Sequence, residues 1–358
     1  MFLLALANAV PPQRLTQRQC WEILRGSPSL RQLRPGSRAL LEKILIGDNG
    51  IESRHFAVGD LDRIFDLDAE SLNHAFEREA PALGERALRA ALAEAKLAPG
   101  DLDALIVCTC TGYLCPGLSS FVAERAGLRP DVFLQDIVGQ GCGAAIPSLR
   151  SASHLLAARP NARVACVAVE ICSAAFYLDD DPGVLVSLCL FGDGAAASIW
   201  SGHPGPARWR CDNFDTLHYP ADRESIRFEN CGGKLRNKLD KTVPERAATA
   251  VRALFDRQNG AAEKIGEVLA HAGGKKVLEA VGAALDGRFT LSESADVLRR
   301  FGNMSSPSVL FALGEHLQNH SRKNDAGDLW LTSYGAGFSA HACRLIARPE
   351  TAPIANTC

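Results

Sequence analysis

The sequence predicts an α/β protein with layered sheets, and three observations point there. Six short apolar runs read as buried strands: "LLALANAV", "ALIVCTC", "RVACVAVEI", "AAASIW", "EVLAHAG" and "LWLTSYGAG". Helical patterns separate most of them. A strand–turn–helix unit also recurs, because "LIVCTCTGYLCPG" and "VLAHAGGKKVLEAV" each join a buried strand to a glycine-containing turn and then a helix. This faint symmetry suggests two related halves.

Taken in chain order, "MFLLALANAV" superficially resembles a secretory leader. It has no basic n-region and its short apolar run ends in Pro-Pro, so it reads as a buried first strand. "GERALRAALAEAKLA" has alanine-rich helical periodicity with acids and bases on its outer face. "SSFVAERAGL" and "AIPSLRSASHLLAARP" are further helices, the second closed by proline. The region from Ser201 to Val243 is rich in Arg, Asp, Asn, Gly and Pro, and reads as loops or a hairpin excursion.

The chain of 358 residues is long enough for one large domain or two similar ones. Its formal net charge of −2 leaves no electrostatic footprint for nucleic acid or an anionic membrane. No segment approaches the roughly 20 apolar residues that span a bilayer. The 12 cysteines are scattered through apolar segments, which suits reduced, buried thiols and a cytoplasmic setting better than a disulfide framework. "CTC" lacks zinc-ligand spacing.

Three residues carry the chemistry. Cys142 lies between two glycines in "VGQGCGAAIPSLR", at the start of an expected helix. Helix N-termini lower a thiol's pKa, and the glycines would give a substrate carbonyl room beside backbone N–H donors. His271 ends the strand of "EVLAHAGG" and is placed to project into a cleft as a base. His55, His74, His203, His218, His316 and His320 lie in polar or charged surroundings instead. Asn303 precedes an apolar helix in "FGNMSSPSVLFAL", where its amide is a donor that a carboxylate could not be. Each alone has a plainer reading: a packing thiol, a satisfied core imidazole, a turn or capping amide.

Together, Cys, His and Asn in that order at strand–helix junctions resemble the thiolase-type condensing enzymes. The stretches "LFGDGAAASI", "HAGGKKVLEAV", "FGNMSSPSVLFAL" and "SYGAGFSAHACRL" are similar to those of type III polyketide synthases, the chalcone and stilbene synthase superfamily. The resemblance runs nearly end to end. It implies a thiolase-like fold of two stacked α/β halves in an αβαβα arrangement, with residues 1–200 carrying the cysteine and 201–358 the histidine and asparagine. It further implies a homodimer. Its substrates would be an acyl-CoA starter and malonyl-CoA, with no metal or redox cofactor, no nucleic acid and no membrane. Cys142 matches the nucleophile, His271 the activating and oxyanion-holding histidine, and Asn303 its partner amide.

The same resemblance assigns a pocket. Phe191 matches a phenylalanine between cavity and CoA tunnel, and Asn237 falls where a second gate phenylalanine is usual. Thr111 keeps a hydroxyl. Cys110 replaces a threonine, Cys115 a methionine that reaches into the partner subunit, and Cys172 and Ala175 two further threonines. These smaller, less polar side chains suggest a long or branched aliphatic starter. Lys43 and Arg54, in "LLEKILIGDNGIESRHF", are the bases available for CoA. A β-ketoacyl-carrier-protein synthase of fatty-acid initiation is the nearest rival, but those enzymes carry an "HQAN"-like motif where this chain has "HAGG". A hydroxymethylglutaryl-CoA synthase-like enzyme would need an acid near the cysteine, and a non-catalytic partner subunit would have lost the cysteine or histidine.

Overall fold

The expected apolar runs become neighbouring strands of one mixed sheet in a computed structural model that describes residues 1–59, 61–205, 207–258, 260–320 and 327–348. The chain begins with β1 (Phe2–Ala9), β2 (Gln13–Thr16), α1 (Gln17–Gly26), α2 (Pro35–Ile46), β3 (Ser53–Phe56) and α3 (Ala69–Ala95). It continues through β4 (Ala104–Cys108), α4 (Leu118–Ala126), β5 (Phe133–Ile137), α5 (Ala145–Ala158), β6 (Arg163–Glu170), α6 (Pro182–Leu190) and β7 (Gly194–Ser201). Then come β8 (Trp209–His218), β9 (Ile226–Cys231), β10 (Lys234–Leu239), α7 (Val243–Asp256), β11 (Ile265–Ala270) and α8 (Lys275–Ala284). The last described elements are α9 (Ser292–Phe301), α10 (Ser308–Asn319), β12 (Asp328–Gly335) and β13 (Ser339–Ala347).

The nine-stranded sheet runs β11-β12-β13-β8-β1-β7-β6-β4-β5. Outward from its middle, one side reads β1, β7, β6, β4 and the other β8, β13, β12, β11. Both are first strand, last, next-to-last, second. Directions repeat too: β7 and β13 are antiparallel to both neighbours, while β4–β6 and β11–β12 are parallel. Within the sheet the two sides join at the start of β1, where Phe2 pairs Arg210 of β8 and Met1 exchanges backbone hydrogen bonds with Cys211. The strand–turn–helix units that look alike in sequence start from β4 and β11, which occupy equivalent places.

Alternation along the strands feeds two cores. In β4, Ala104, Ile106 and Cys108 join one apolar cluster and Leu105 and Val107 the other; β6 divides in the same way. Helix α3 covers the outer face of β1, β6 and β7, whereas α5 packs between β4 and β6 on one side and β8, β12 and β13 on the other. Helix α7 closes the far side against β8 and β13. This sandwiched position explains why α5 buries Ala145, Ile146, Leu149, Ala152 and Leu156. Capping agrees with sequence: the Asp68 side chain accepts from Ser71 N at the start of α3.

The 201–243 region is only partly the expected excursion. Strands β9 and β10 form a hairpin, but the preceding β8 is a ten-residue strand of the main sheet. Its polar residues hid it. Trp209 and Cys211 point into the core, while Arg210 and Asp212 pair on the opposite side and Asp215 receives Arg257.

Strand β7 carries Ala195, Ala196 and Ala197, all fully buried, where α3 lies close. Ala197→Leu is expected to overpack this contact and destabilise the chain by about 1–3 kcal/mol. Chemical denaturation checks this; an unchanged midpoint would mean that the α3–β7 contact has slack.

Candidate active site

Parallel strands gather their following turns at one end of a sheet, the usual place for an α/β site. Here β4 leads to Thr109–Thr111, β5 to the Gly141–Gly143 turn, β6 to Glu170–Ala175 and β11 to His271. The α9–α10 connection adds Asn303 and Ser305.

Cys142 is buried in a one-turn 3-10 segment just before α5. Its Sγ accepts a hydrogen bond from Ser305 Oγ at 3.2 Å, and Cys110 Sγ lies 3.1 Å from the same hydroxyl. Ser305 adopts left-handed backbone (φ 60°), a strained geometry for a side chain with a Cβ. It is held there by Asn303, whose Oδ1 accepts from Ser305 N at 2.8 Å. Asn303 Nδ2 donates to Gly273 O at 3.2 Å, and Gly273 N donates to His271 O at 2.8 Å. Short polar contacts therefore link Cys142, Asn303 and the His271 segment. His271 is itself buried, edge-on to Tyr334 at 5.2 Å between centroids, and its Nδ1 has no hydrogen-bond partner.

The glycines around Cys142 have a different use from the expected one. A Cβ on Gly335 would stand 2.6 Å from Gly143 N and 2.9 Å from Cys142 N, and one on Gly141 would meet Ala336 N at 2.8 Å. Two backbone segments thus lie flush, and the room the glycines free is filled by the end of β12. Burial, aided by the Glu170 charge and opposed by the Ser305 hydrogen bond, pushes Cys142 up to about 12. Burial pushes His271 down to about 3. At rest the site holds a neutral thiol and a neutral imidazole.

A family profile for FAE1/type III polyketide synthase-like proteins matches residues 20–212. The 1,3,6,8-tetrahydroxynaphthalene synthase of Streptomyces peucetius subsp. caesius is 31% identical over 348 residues, covering 94% of this chain and 90% of that enzyme. The chain belongs to the type III polyketide synthase family. A 3,5-dihydroxyphenylacetyl-CoA synthase of Amycolatopsis balhimycina is 35% identical over 245 residues, and there the match spans 64% of each chain. Among solved structures, a tetrahydroxynaphthalene synthase from Streptomyces coelicolor A3(2) superposes with TM-score 0.86 at 25% identity, covering 98% of this chain and all (100%) of that one. PKS-I of the brown alga Ectocarpus siliculosus shares the fold with TM-score 0.89 at 23% identity, covering 97% and 98%. Their thiolase-like architecture is the fold of this chain.

Most residues expected of the family's pocket meet in one cleft of about 610 Å³, counting its open mouth. Cys142, Cys110, Thr111, Cys172, Ala175, Phe191, Asn237 and Ser305 line it; His271 and Asn303 do not, and are tied to it through Ser305 and Gly273. Asn237 donates to Ser187 Oγ at 2.7 Å, so the amide in the usual aromatic position fastens the β9–β10 hairpin to α6. Backbone bonds zip Phe191 to Asn303, since Gly192 N donates to Asn303 O at 3.0 Å and Asn303 N to Leu190 O at 2.9 Å.

One expectation needs correction. Arg54 does not face CoA: only 2% exposed, it donates to Gln17 Oε1 at 3.0 Å and to the carbonyls of Leu188 and Phe191 at 2.7 Å, with Phe56 beneath its guanidinium. It caps the C-terminus of α6 and so anchors Phe191. Cys115 is exposed and lines no part of its own chain's cleft. Lys43 is exposed on the last turn of α2.

Sequence reasoning missed Glu170. Fully buried at the end of β6, its Oε2 accepts from Thr109 Oγ1, Cys110 N, Thr111 N and Thr111 Oγ1 at 2.8–3.1 Å, and its Oε1 from Ser306 Oγ at 2.6 Å. Ser305 Oγ lies 3.4 Å from Oε1. Burial raises its pKa while these donors lower it. A single acid closing an otherwise apolar strand was the available signal. Asp193 of "FGDG" acts similarly, accepting from Ala57 N and from Ser173 N and Oγ, and burial pushes it up to about 6.

Two measurements test this site. Gly335→Ala is expected to force apart the flush backbones and cost about 1–3 kcal/mol, read as a lower thermal midpoint; an unshifted midpoint would contradict the close approach. For His271, the unfolded chain takes up a proton below pH 6.5 while the folded chain stays neutral until about pH 3, so stability falls as pH falls through that window. From pH 7 to 5 this one group accounts for about 2 kcal/mol. Urea unfolding of His271→Gln should show a correspondingly smaller loss over those pH values, and equal losses would refute a buried neutral imidazole.

Proposed function

We propose that the chain is a type III polyketide synthase that loads an acyl group from a CoA starter onto Cys142 and extends it iteratively by decarboxylative condensation with malonyl-CoA. The product is then cyclised to a pyrone, resorcinol or phloroglucinol type. The observation that carries this reading is the run of contacts Cys142–Ser305–Asn303–Gly273–His271 at a largely apolar cleft. In the first step neutral His271 takes the Sγ proton, the sulfur attacks the thioester carbonyl, and the proton leaves with the CoA thiol. Malonyl-CoA then loses CO₂, and the electron pair of the broken C–C bond forms a thioester enolate. Donors from His271 and Asn303 would hold its oxygen while its carbon attacks the Cys142 thioester and expels the sulfur. The carbanion comes from decarboxylation, so this sequence of steps calls for no redox cofactor.

Supporting arguments extend to the other expectations. The repeated strand order fits a division into halves 1–200 and 201–358. Homodimerisation is supported by exposed Tyr113 (77% exposed), Phe133 and Val138, in the same part of the chain as Cys115; Cys115 is assigned to the partner's cavity on this reading. No helix among the described residues is long and apolar enough to cross a membrane, and all the described cysteines are free, in keeping with a cytoplasmic enzyme. For the starter, small Cys172 and Ala175 line the cleft, and a second apolar pocket of about 390 Å³, counting its open mouth, shares Phe176 and Leu188 with it. Both favour an aliphatic acyl chain, although the relatives above are named for polyhydroxylated aromatic products.

Incubation with malonyl-CoA and a panel of acyl-CoA starters, followed by mass spectrometry, tests both levels. Cys142→Ala is expected to abolish every product, and persistence of unchanged products would overturn the assignment. Medium- and long-chain fatty acyl-CoA should be used best; a clear preference for short aromatic starters, or for malonyl-CoA alone, would sink the aliphatic reading and leave the enzyme class intact.

A further inference from the structure

Helices α9 and α10 form a hairpin whose closed end carries Asn303. At its open end, away from the condensing site, the first turn of α9 meets the last turn of α10. Glu293 there faces His316 and His320, which stand four residues apart and so share one helix face. One nitrogen of each ring and one carboxylate oxygen all lie within 4.8 Å of one another. Despite its polar sequence neighbours, His316 is only 3% exposed, and neither of its ring nitrogens has a hydrogen-bond partner. Glu267, on the adjoining β11, has an unpartnered Oε1 and interacts electrostatically with all three residues. Among the described residues, no arginine or lysine pairs with Glu267 or Glu293.

The spacing decides between two explanations. Glu293 Oε1 is 3.8 Å from His316 Nδ1 and 4.0 Å from His320 Nδ1, too long for hydrogen bonds. Two ligand atoms on one tetrahedral zinc, each bonded at about 2.1 Å, lie about 3.4 Å apart. The Glu293–His316 spacing is therefore looser than a hydrogen bond and near that of two ligands on one ion. His320 Nδ1 also lies 3.1 Å from His316 O. A proton on Nδ1 would donate to that carbonyl and leave Nε2 as the ligand, the outer-sphere arrangement common to metal-binding histidines. Two imidazoles and one or two carboxylates suit zinc and its borderline neighbours better than magnesium or calcium.

We propose that Glu293, His316 and His320, backed by Glu267, bind one zinc-like divalent cation that staples α9 to α10 at the end of the hairpin opposite Asn303. The ion would give bonds to a buried imidazole that has no hydrogen-bond partner and to the free oxygens of Glu293 and Glu267, and would hold the hairpin that positions Asn303. This inference does not depend on the identity of the starter or product.

The test uses full-length chain stripped with a chelator and titrated with Zn²⁺ by calorimetry, with Co²⁺ as the spectroscopic probe. One ion per chain is expected, with visible tetrahedral Co²⁺ bands and no thiolate charge-transfer band, which sets this site apart from the cysteines. His320→Ala, half-exposed and remote from the condensing residues, should weaken binding roughly 100-fold or more. Glu293→Gln should weaken it as well and keeps the test available if a histidine variant folds poorly. Zn²⁺ should raise the thermal midpoint of the parent and leave that of His320→Ala unmoved. Absence of saturable binding, a thiolate band, or undiminished affinity in both variants would each overturn the proposal.

Discussion

The site depends on one buried carboxylate. Among the described residues Glu170 has no ion-pair partner, and hydrogen bonds offset the cost of taking its carboxylate out of water. Those donors come from two directions. Thr109, Cys110 and Thr111 follow β4 on one side, and Ser306 precedes α10 on the other, with the Ser305 hydroxyl beside it. Satisfying Glu170 thus fixes the separation of the two halves where it matters, and leaves the Ser305 hydroxyl between Cys110 and Cys142. The left-handed backbone of Ser305 is tolerated because this network and Asn303 over-determine it.

A second constraint is dryness. Alone, a buried thiol and a buried imidazole each favour the neutral form, which is why Cys142 and His271 are pushed in opposite directions by the same cause. A proton transfer between them makes two opposite charges together, and each offsets the other's desolvation. Arg54 and Asp193 belong to the same economy of buried charge: each is enclosed by acceptors or donors of the protein, and each pins a segment of the cleft wall.

Much of this was legible in the chain itself, and what was not follows a pattern. Buried strands declare themselves by apolar runs, so β1, β4, β6, β7, β11 and β12 were foreseen. Strand β8 was not, because a strand with one face carrying Arg210, Asp212 and Asp215 looks like loop until its pairing partners are known. The candidate residues stood out where a specific local context surrounds them, as in "GQGCGAA" and "GNMSSP". Glu170 and the cluster of Glu293, His316 and His320 went unread for the opposite reason: polar residues far apart in sequence acquire meaning only through what they face.

By itself, the sequence determined the alternation of strands and helices, singled out Cys142, His271 and Asn303 as candidates, and supplied the small side chains of the cleft. These follow from periodicity and residue type, which act over a few positions. Tertiary structure alone decided that Arg54 is an anchor for Phe191 and no CoA ligand, that Cys115 lies outside its own chain's cleft, and that the glycines beside Cys142 serve backbone contact. It also decided that burial pushes the Cys142 thiol up. Each of those outcomes depends on contacts between residues tens to hundreds of positions apart, and on the desolvation that such contacts impose, neither of which local pattern encodes.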